Sequence, residues 1–152
     1  TVTFYGGVGY TDSEIKEIGN PALETFLTNA GVNLANVVGS KSPKTTDWTI
    51  NVGAQAVQPI TTGLSAVFRA DYEYQGQKYW QIDNLDVRDP IHLVSLRASI
   101  EGERWTASLW TKNLLNEEYY ADVNPSAFSG APYDLGFQAR PRTYGADVKF
   151  RF

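Results

Sequence analysis

The sequence predicts an all-β protein, an antiparallel β-barrel that spans a membrane, and three regularities lead to this prediction. Residues 144–152 alternate strictly between apolar and polar side chains. The connections between predicted strands alternate between long and short along the whole chain. One face of each predicted strand carries no Asp, Glu, Lys or Arg, whereas the opposite faces carry many. Strands with one apolar and one charged face, joined by turns on one side and long loops on the other, are typical of transmembrane barrels.

Composition excludes several other classes of protein. The chain has 152 residues and no cysteine, which removes disulfides, thiolate metal sites and cysteine catalysis. There is no run of 18 apolar residues, so no transmembrane helix is expected. A net charge of -4 without a basic cluster argues against nucleic acid as a partner. Because Thr1 is not followed by the basic and then apolar segments of a signal peptide, we expect the chain to start inside a longer protein.

The first two strands are predicted on either side of a long excursion. Residues 1–10 alternate as a glycine-rich strand, and Asp47–Val57 forms the second. Between them, Asn20 and Pro21 are typical of the start of a helix. The apolar side of this short helix is expected to contain Leu23, Phe26, Leu27 and Leu34.

The remaining strands follow the same pattern. A short turn at 58–63 leads to the third strand, Leu64–Tyr74, and an excursion at 75–90 leads to the fourth, from Ile91 to about Ile100. The tight turn at 101–104 precedes the fifth strand, Trp105–Leu114. In this strand Trp110 is an apolar residue on the face that is otherwise polar. A third excursion, 115–140, leads to the last strand. Four charged residues are expected to face a wet lumen, because charge facing lipid is costly: Arg69, Asp71, Glu73 and Arg97.

Binding by the long excursions is the function that the residues favour, and no enzyme is expected. There is no Gly-x-Ser-x-Gly elbow, and His92 is the single histidine, so neither a serine nucleophile nor a multi-histidine metal site is predicted. Asp83, Asp86 and Asp89 lack the spacing of a calcium loop. Aromatic residues suited to a mostly apolar or chelated ligand lie on the excursions: Tyr79, Trp80, Tyr119, Tyr120, Phe128 and Tyr133. The alternative for each is that it packs the loops or lines the membrane interface.

Three stretches together resemble the C-terminal segment of the TonB-dependent outer-membrane receptors. Residues 39–49, Gly-Ser-Lys-Ser-Pro-Lys-Thr-Thr-Asp-Trp-Thr, are similar to the family's entry from loop to strand. Residues 109–120, Leu-Trp-Thr-Lys-Asn-Leu-Leu-Asn-Glu-Glu-Tyr-Tyr, are similar to its Lys-Asn-Leu signature. Residues 141–152, Pro-Arg-Thr-Tyr-Gly-Ala-Asp-Val-Lys-Phe-Arg-Phe, are similar to its terminal strand. With their spacing, these stretches span most of residues 39–152.

This resemblance implies a barrel of 22 strands around an N-terminal plug, with residues 1–152 forming about the last six strands. It implies active uptake of a scarce nutrient across the outer membrane of a Gram-negative bacterium. The nutrient is most often a small ferric siderophore chelate, with haem, cobalamin or an oligosaccharide as other options. Implied partners are outer-membrane lipid, the plug and earlier strands, and the TonB complex acting through the plug. No cofactor is expected. The outer-membrane assembly machinery would recognise Tyr144, Val148, Phe150 and Phe152.

Two alternatives remain open at this point. A passive porin or a small adhesion barrel would have the same strands without a plug. A soluble β-sandwich binding module would bury the apolar faces against a second sheet and expose the charged faces to water.

Overall fold

A computed structural model describes residues 1–126 and 132–152. Ten strands and one helix are present in that part of the chain. The strands are β1 (Val2–Tyr10), β2 (Trp48–Thr61), β3 (Leu64–Gln75), β4 (Lys78–Tyr79), β5 (Val87–Arg88), β6 (Ile91–Glu101), β7 (Trp105–Lys112), β8 (Tyr120–Asn124), β9 (Leu135–Gln138) and β10 (Thr143–Phe150). The helix is α1 (Pro21–Asn29), and a short 3-10 turn follows at Leu34–Asn36.

None of the helical segments in the described ranges has the length and apolarity needed to cross a bilayer.

Six of the strands form one antiparallel sheet in the order β1-β2-β3-β6-β7-β10. The prediction of an all-β antiparallel fold is therefore confirmed, with all six predicted strands as neighbours in this sheet. The sheet is open, since β1 and β10 are its two edges. Two hairpins that the sequence does not predict, β4-β5 and β8-β9, lie in the second and third long connections.

The register brings the apolar positions of all six strands onto one face. Residues directly opposite each other in an antiparallel pair share a face, so the pairings can be followed across the sheet. One row contains Val2, Ala56, Phe68, Ala98, Leu109 and Ala146. The next row contains Phe4, Ala54, Ala70, Leu96, Thr111 and Tyr144. We call this surface the apolar face, and it is exposed: Phe4 is 79% exposed, Leu109 66% and Tyr144 81%.

The opposite surface, called here the polar face, has charged and hydroxylated residues in register. One of its rows contains Thr3, Gln55, Arg69, Arg97, Trp110 and Gly145. The Trp110 ring, which interrupts the polar pattern in the sequence, lies over Gly145, where an added Cβ would come within 2.6 Å of the ring. Glycine at that position leaves room for an aromatic side chain from the neighbouring strand.

The predicted ends of the second and fifth strands differ from the structure. The second strand continues past Val57 to Thr61, and the register shifts between Pro59 and Thr61. A proline has no backbone N–H for the ladder, and a register irregularity is where a strand tolerates one. The turn is therefore shorter than the predicted 58–63, and Gly63 supplies its positive φ of 78°. The fifth strand ends at Lys112 instead of Leu114, since Asn113 adopts a φ of 50°.

The predicted helix is present, but only part of its expected apolar side is buried. Asn20 caps it, and its Oδ1 accepts a hydrogen bond from the Ala22 N–H at 2.9 Å. Leu27 is fully buried with Val37 and Val32, forming a small core inside the first long connection. Leu23 and Phe26 are 40% and 47% exposed, because the nine-residue helix has this narrow core on one side only.

A prediction concerns the packing of Tyr5 over Gly53. A Cβ at Gly53 would lie 2.4 Å from the Tyr5 ring, so Gly53→Ala must displace the ring and its 2.6 Å hydrogen bond to Asp71. The Tyr5 ring is 40% exposed and can turn away, so we expect the free energy of unfolding in detergent micelles to fall by about 0.5 to 1.5 kcal/mol, the net value of one hydrogen bond. The matched control is Gly7→Ala, on the neighbouring strand, where no atom lies within 4 Å of the new Cβ. Equal unfolding midpoints for the two variants would contradict this packing.

Candidate functional site

The three long connections extend from the same end of the sheet and pack against one another. The first spans residues 11–47, the second 76–90, and the third is described at 113–126 and 132–142. The Ser40 hydroxyl donates to the Ile82 carbonyl at 2.7 Å, and Ile82 packs against the small core around Leu27 and Val37. The first and second connections therefore form one packed unit.

Asn84 clamps this unit together. Its Oδ1 accepts from the Lys41 N–H at 2.6 Å, and its amide group donates to the Lys41 and Gln81 carbonyls at 3.0 and 3.2 Å. The backbone of Asn84 has a φ of 56°, a conformation that asparagine tolerates better than most residues. The side chain thus replaces, for two adjoining loops, the hydrogen bonds that a regular strand pair would supply.

Lys44 joins the first connection to both of the others. Its backbone N–H donates to the Tyr79 carbonyl at 2.7 Å in the second connection. Its ammonium group donates to Asp122 Oδ1 at 2.6 Å in the third. This ion pair is half exposed, so it orients the loops more than it stabilises the fold.

A cavity of about 930 Å³ lies on the polar face below the third connection. The sheet contributes Tyr5, Asp71, Glu73, Ser95 and Trp110 to its floor and walls. Tyr119 and residues 139–141 line it from the third connection. The volume is of the size that binds small ligands.

Charges on the polar face near this cavity are organised into pairs. Arg69 donates to both oxygens of Asp71, at 2.7 and 2.8 Å, and its guanidinium carbon lies 5.0 Å from the Tyr5 ring centroid. Arg97 donates to Asp147 at 2.7 Å and to the Ser108 hydroxyl at 2.8 Å. The four residues predicted to face a lumen, Arg69, Asp71, Glu73 and Arg97, thus share the polar face; that this face borders a lumen stays a prediction.

The predicted ligand-binding aromatic residues that the structure describes lie in different environments and do not form one cluster. Trp80 is 5% exposed, with the Lys78 ammonium 5.6 Å from its ring centroid, so it packs the second connection. Tyr119 lines the cavity. Tyr120 and Tyr133 are 48% and 63% exposed, and Tyr79 is half-buried. Phe128 lies outside the described residues, and contact of any of the six with a ligand stays a prediction.

The predicted assembly signal occupies the exposed side of the last strand. Tyr144, Val148 and Phe150 are 81%, 62% and 65% exposed on the apolar face, and Phe152 follows β10 fully exposed. Their recognition by another protein stays a prediction.

Sequence reasoning missed Arg88, which is buried between the second and third connections. It is 6% exposed, donates to Gln75 Oε1 and the Gly76 carbonyl at 3.3 and 3.2 Å, and has the Tyr119 ring centroid 5.9 Å from its guanidinium carbon. In the sequence it stands between Asp86 and Asp89, which suggests a solvated charged loop. Only the β4-β5 hairpin directs it inward.

A metal site is not formed by the side chains placed here. No group of three or more His, Cys, Asp or Glu residues is arranged to hold an ion within residues 1–126 and 132–152.

Comparison with solved structures supports the fold. The chain is similar to the ferric yersiniabactin uptake receptor FyuA from Yersinia pestis, with a TM-score of 0.67 and 16% sequence identity. The match covers 76% of this chain and 18% of the receptor, so the chain corresponds to a small part of a much longer protein. No family model matches the sequence. At this identity the likeness establishes the fold alone: an open antiparallel sheet that matches part of that receptor.

A pH titration can test the contacts between the long connections. The hydrogen bond from Lys44 lowers the pKa of Asp122 below its usual 3.8, and the hydrogen bond from Lys41 lowers the pKa of Asp12. The pKa of Asp86 is raised, mainly by burial and then by the charge of the nearby Asp134. A carboxylate with a lowered folded-state pKa stabilises the fold above its unfolded pKa and loses this effect as pH falls through the folded value. We therefore expect the Lys44–Asp122 contact to persist as pH falls through 3.8, the usual aspartate value, and to break only at lower pH. Carbonyl NMR should record Asp86 titrating above Asp122.

The control for this titration is Lys44→Gln. It should move the Asp122 midpoint upward and leave that of Asp12 unchanged, since Asp12 is paired with Lys41 at 2.9 Å. If Asp122 instead titrates at or above Asp86 in the unaltered protein, the inter-connection ion pair is absent in solution.

Proposed function

We propose that this chain forms part of the wall of a TonB-dependent outer-membrane receptor that takes up a scarce nutrient, a ferric siderophore. The observation on which the proposal rests is the arrangement of the sheet. A continuous apolar face is exposed on one side, and a polar face with a cavity lies on the other, below three packed connections. The fold similarity to a ferric yersiniabactin receptor supports the same conclusion.

The apolar face suits contact with lipid. A soluble β-sandwich needs a second sheet over its apolar surface, and within the described ranges the two other sheets are two-stranded hairpins in the long connections. Phe4, Leu109 and Tyr144 remain largely exposed. Exposed apolar surface of this extent is stable in a hydrocarbon environment and promotes association in water.

The polar face suits a hydrated interior. The ion pair Arg69–Asp71 lies within one strand, β3. The ion pair Arg97–Asp147 joins β6 to β10, which are not adjacent in the sheet. Charge pairs of this kind tolerate water. An arginine or lysine that faced lipid at the bilayer midplane would instead cost about 2 to 4 kcal/mol. A ligand captured between the connections would reach the cavity along this face.

Transport itself needs the rest of the receptor. In the proposed mechanism the connections bind the chelate outside the cell, and energy supplied through TonB rearranges a plug that fills the barrel. The plug, TonB, the assembly machinery that would recognise Tyr144, Val148, Phe150 and Phe152, and the Gram-negative outer membrane are parts of this proposal.

The membrane assignment predicts opposite outcomes for an arginine on the two faces. Leu109→Arg places the charge amid the apolar face and should cost about 2 to 4 kcal/mol at the bilayer midplane. Ser95→Arg is the matched control, because Ser95 lies on the polar face directly opposite Asp71. The measurement is folding of the full-length natural protein into phospholipid vesicles, which is followed by its heat-modifiable electrophoretic mobility. Folding should fail or slow markedly for Leu109→Arg and not for Ser95→Arg. A wild-type protein that is monodisperse and folded in detergent-free buffer would contradict the proposal.

The transport assignment is tested by uptake of radiolabelled ferric siderophores in cells that express the full-length protein. We expect accumulation that stops when the tonB gene is deleted, because an active step needs coupled energy. Entry that continues without TonB, in proportion to external concentration, would instead identify a passive porin.

A further inference from the structure

Two cationic side chains face each other across the β4-β5 hairpin. Lys78 and Arg88 are directly opposed in this antiparallel pair, so both project from the same side. Like charges at directly opposed positions destabilise a strand pair. Such a placement calls for a compensating negative charge, and the neighbourhood provides little of it.

The partners of Arg88 are all neutral. Its guanidinium contacts Gln75 Oε1, the Gly76 carbonyl and the Tyr119 ring, and its Nε is a buried donor without a hydrogen-bond acceptor in the described part of the chain. Asp86 and Asp89 stand beside it in sequence, yet the ion pairs formed by residues 1–126 and 132–152 involve neither Arg88 nor Lys78. Burying an unpaired cation costs free energy that an anion would recover.

Lys78 is similarly short of negative charge. Its ammonium lies over the Trp80 ring, and burial together with the nearby Arg88 lowers the pKa of Lys78. Lys44 comes close to Lys78, since Thr46 forms a β-bridge with Lys78 and the Lys44 N–H donates to the Tyr79 carbonyl. Asp122, the carboxylate whose charge acts on Lys78, is already bound to Lys44 at 2.6 Å. Lys78 and Arg88 are therefore left without an ion-pair partner in the described part of the chain.

The position of the cluster indicates the side from which an anion would arrive. Tyr119, whose ring contacts Arg88, also lines the cavity on the polar face. The same cavity is lined by two cationic residues, Lys112 and Arg140, and by two carboxylates, Asp71 and Glu73. Lys78 and Arg88 are not part of the cavity lining, and Tyr119 is the residue that joins the cavity to Arg88. A ligand in the cavity would therefore reach the two cations past Tyr119, whereas a lipid headgroup would approach from the apolar side.

We propose that Lys78 and Arg88 form an anion-binding site in the β4-β5 hairpin, next to the Tyr119 side of the polar-face cavity, which binds a carboxylate or phosphate group of a small soluble ligand. Arg88 supplies a planar fork of donors and Lys78 a point charge, the combination that binds such oxyanions. Tyr119 offers an aromatic wall beside them. The inference assigns ligand chemistry to the receptor proposed above and rests on that function for the direction of entry.

The test uses citrate as the probe and the full-length natural protein purified in a zwitterionic detergent. Isothermal titration calorimetry at low ionic strength should detect citrate binding, and Lys78→Gln should weaken it about tenfold or more, as expected for loss of a charged hydrogen bond. Lys16→Gln is the matched control, since Lys16 is 75% exposed and paired with Glu14 in the first connection. It should leave the affinity unchanged.

Arg88 is buried, so its removal could disturb folding. Arg88→Lys retains the charge without the fork and should weaken binding while the thermal midpoint without citrate stays near that of the unaltered protein. In the unaltered protein citrate should raise this midpoint, and at the same citrate concentration it should raise that of Lys78→Gln less.

Several results would overturn the inference. They are the absence of citrate binding at millimolar concentrations, equal affinity in Lys78→Gln and the unaltered protein, or binding only to bilayers that contain phosphatidylglycerol, which would identify a lipid site. The proposed transport function fails separately, because TonB-independent entry with intact citrate binding contradicts that function alone. If the unaltered protein shows TonB-dependent uptake but does not bind citrate, only the anion site is contradicted.

Discussion

The alternation of side chains between the two faces of the six-stranded sheet is the constraint on which the rest of the structure depends. A one-residue slip between any two strands would exchange their faces and mix charged with apolar positions. The register avoids this in all five pairings, so Val2 aligns with Phe68 and Leu109 while Thr3 aligns with Arg69 and Arg97. The two surfaces are thereby suited to two different solvents.

The same register places all the long connections at one end. Because antiparallel neighbours reverse direction, strictly alternating long and short connections separate to opposite ends of the sheet. The long ones are then close enough to share a core around Leu27, hydrogen bonds through Asn84 and an ion pair through Lys44. A loop surface organised by such contacts can hold binding groups in fixed positions without extending the sheet.

Charge pairing differs between the sheet and the connections. On the polar face, Arg69 and Arg97 each have a carboxylate within hydrogen-bond distance. In the β4-β5 hairpin, Lys78 and Arg88 oppose each other with neutral partners. The two arginines of the polar face are thus paired within this chain, whereas the two cations of the hairpin are not. This contrast separates the paired arginines of the sheet from the cations to which we assign an anion.

Local sequence determined the six main strands, the helix start at Asn20 and the assignment of residues to faces, because strand periodicity and capping depend on near neighbours. The end of β2 was predicted too early, since pairing with Ser65 extends the strand through Pro59. The two small hairpins, the burial of Trp80 and the inward position of Arg88 were decided by tertiary structure. Their positions depend on contacts between connections far apart in the chain, such as Lys41 with Asn84 and Lys44 with Asp122, which no local pattern specifies.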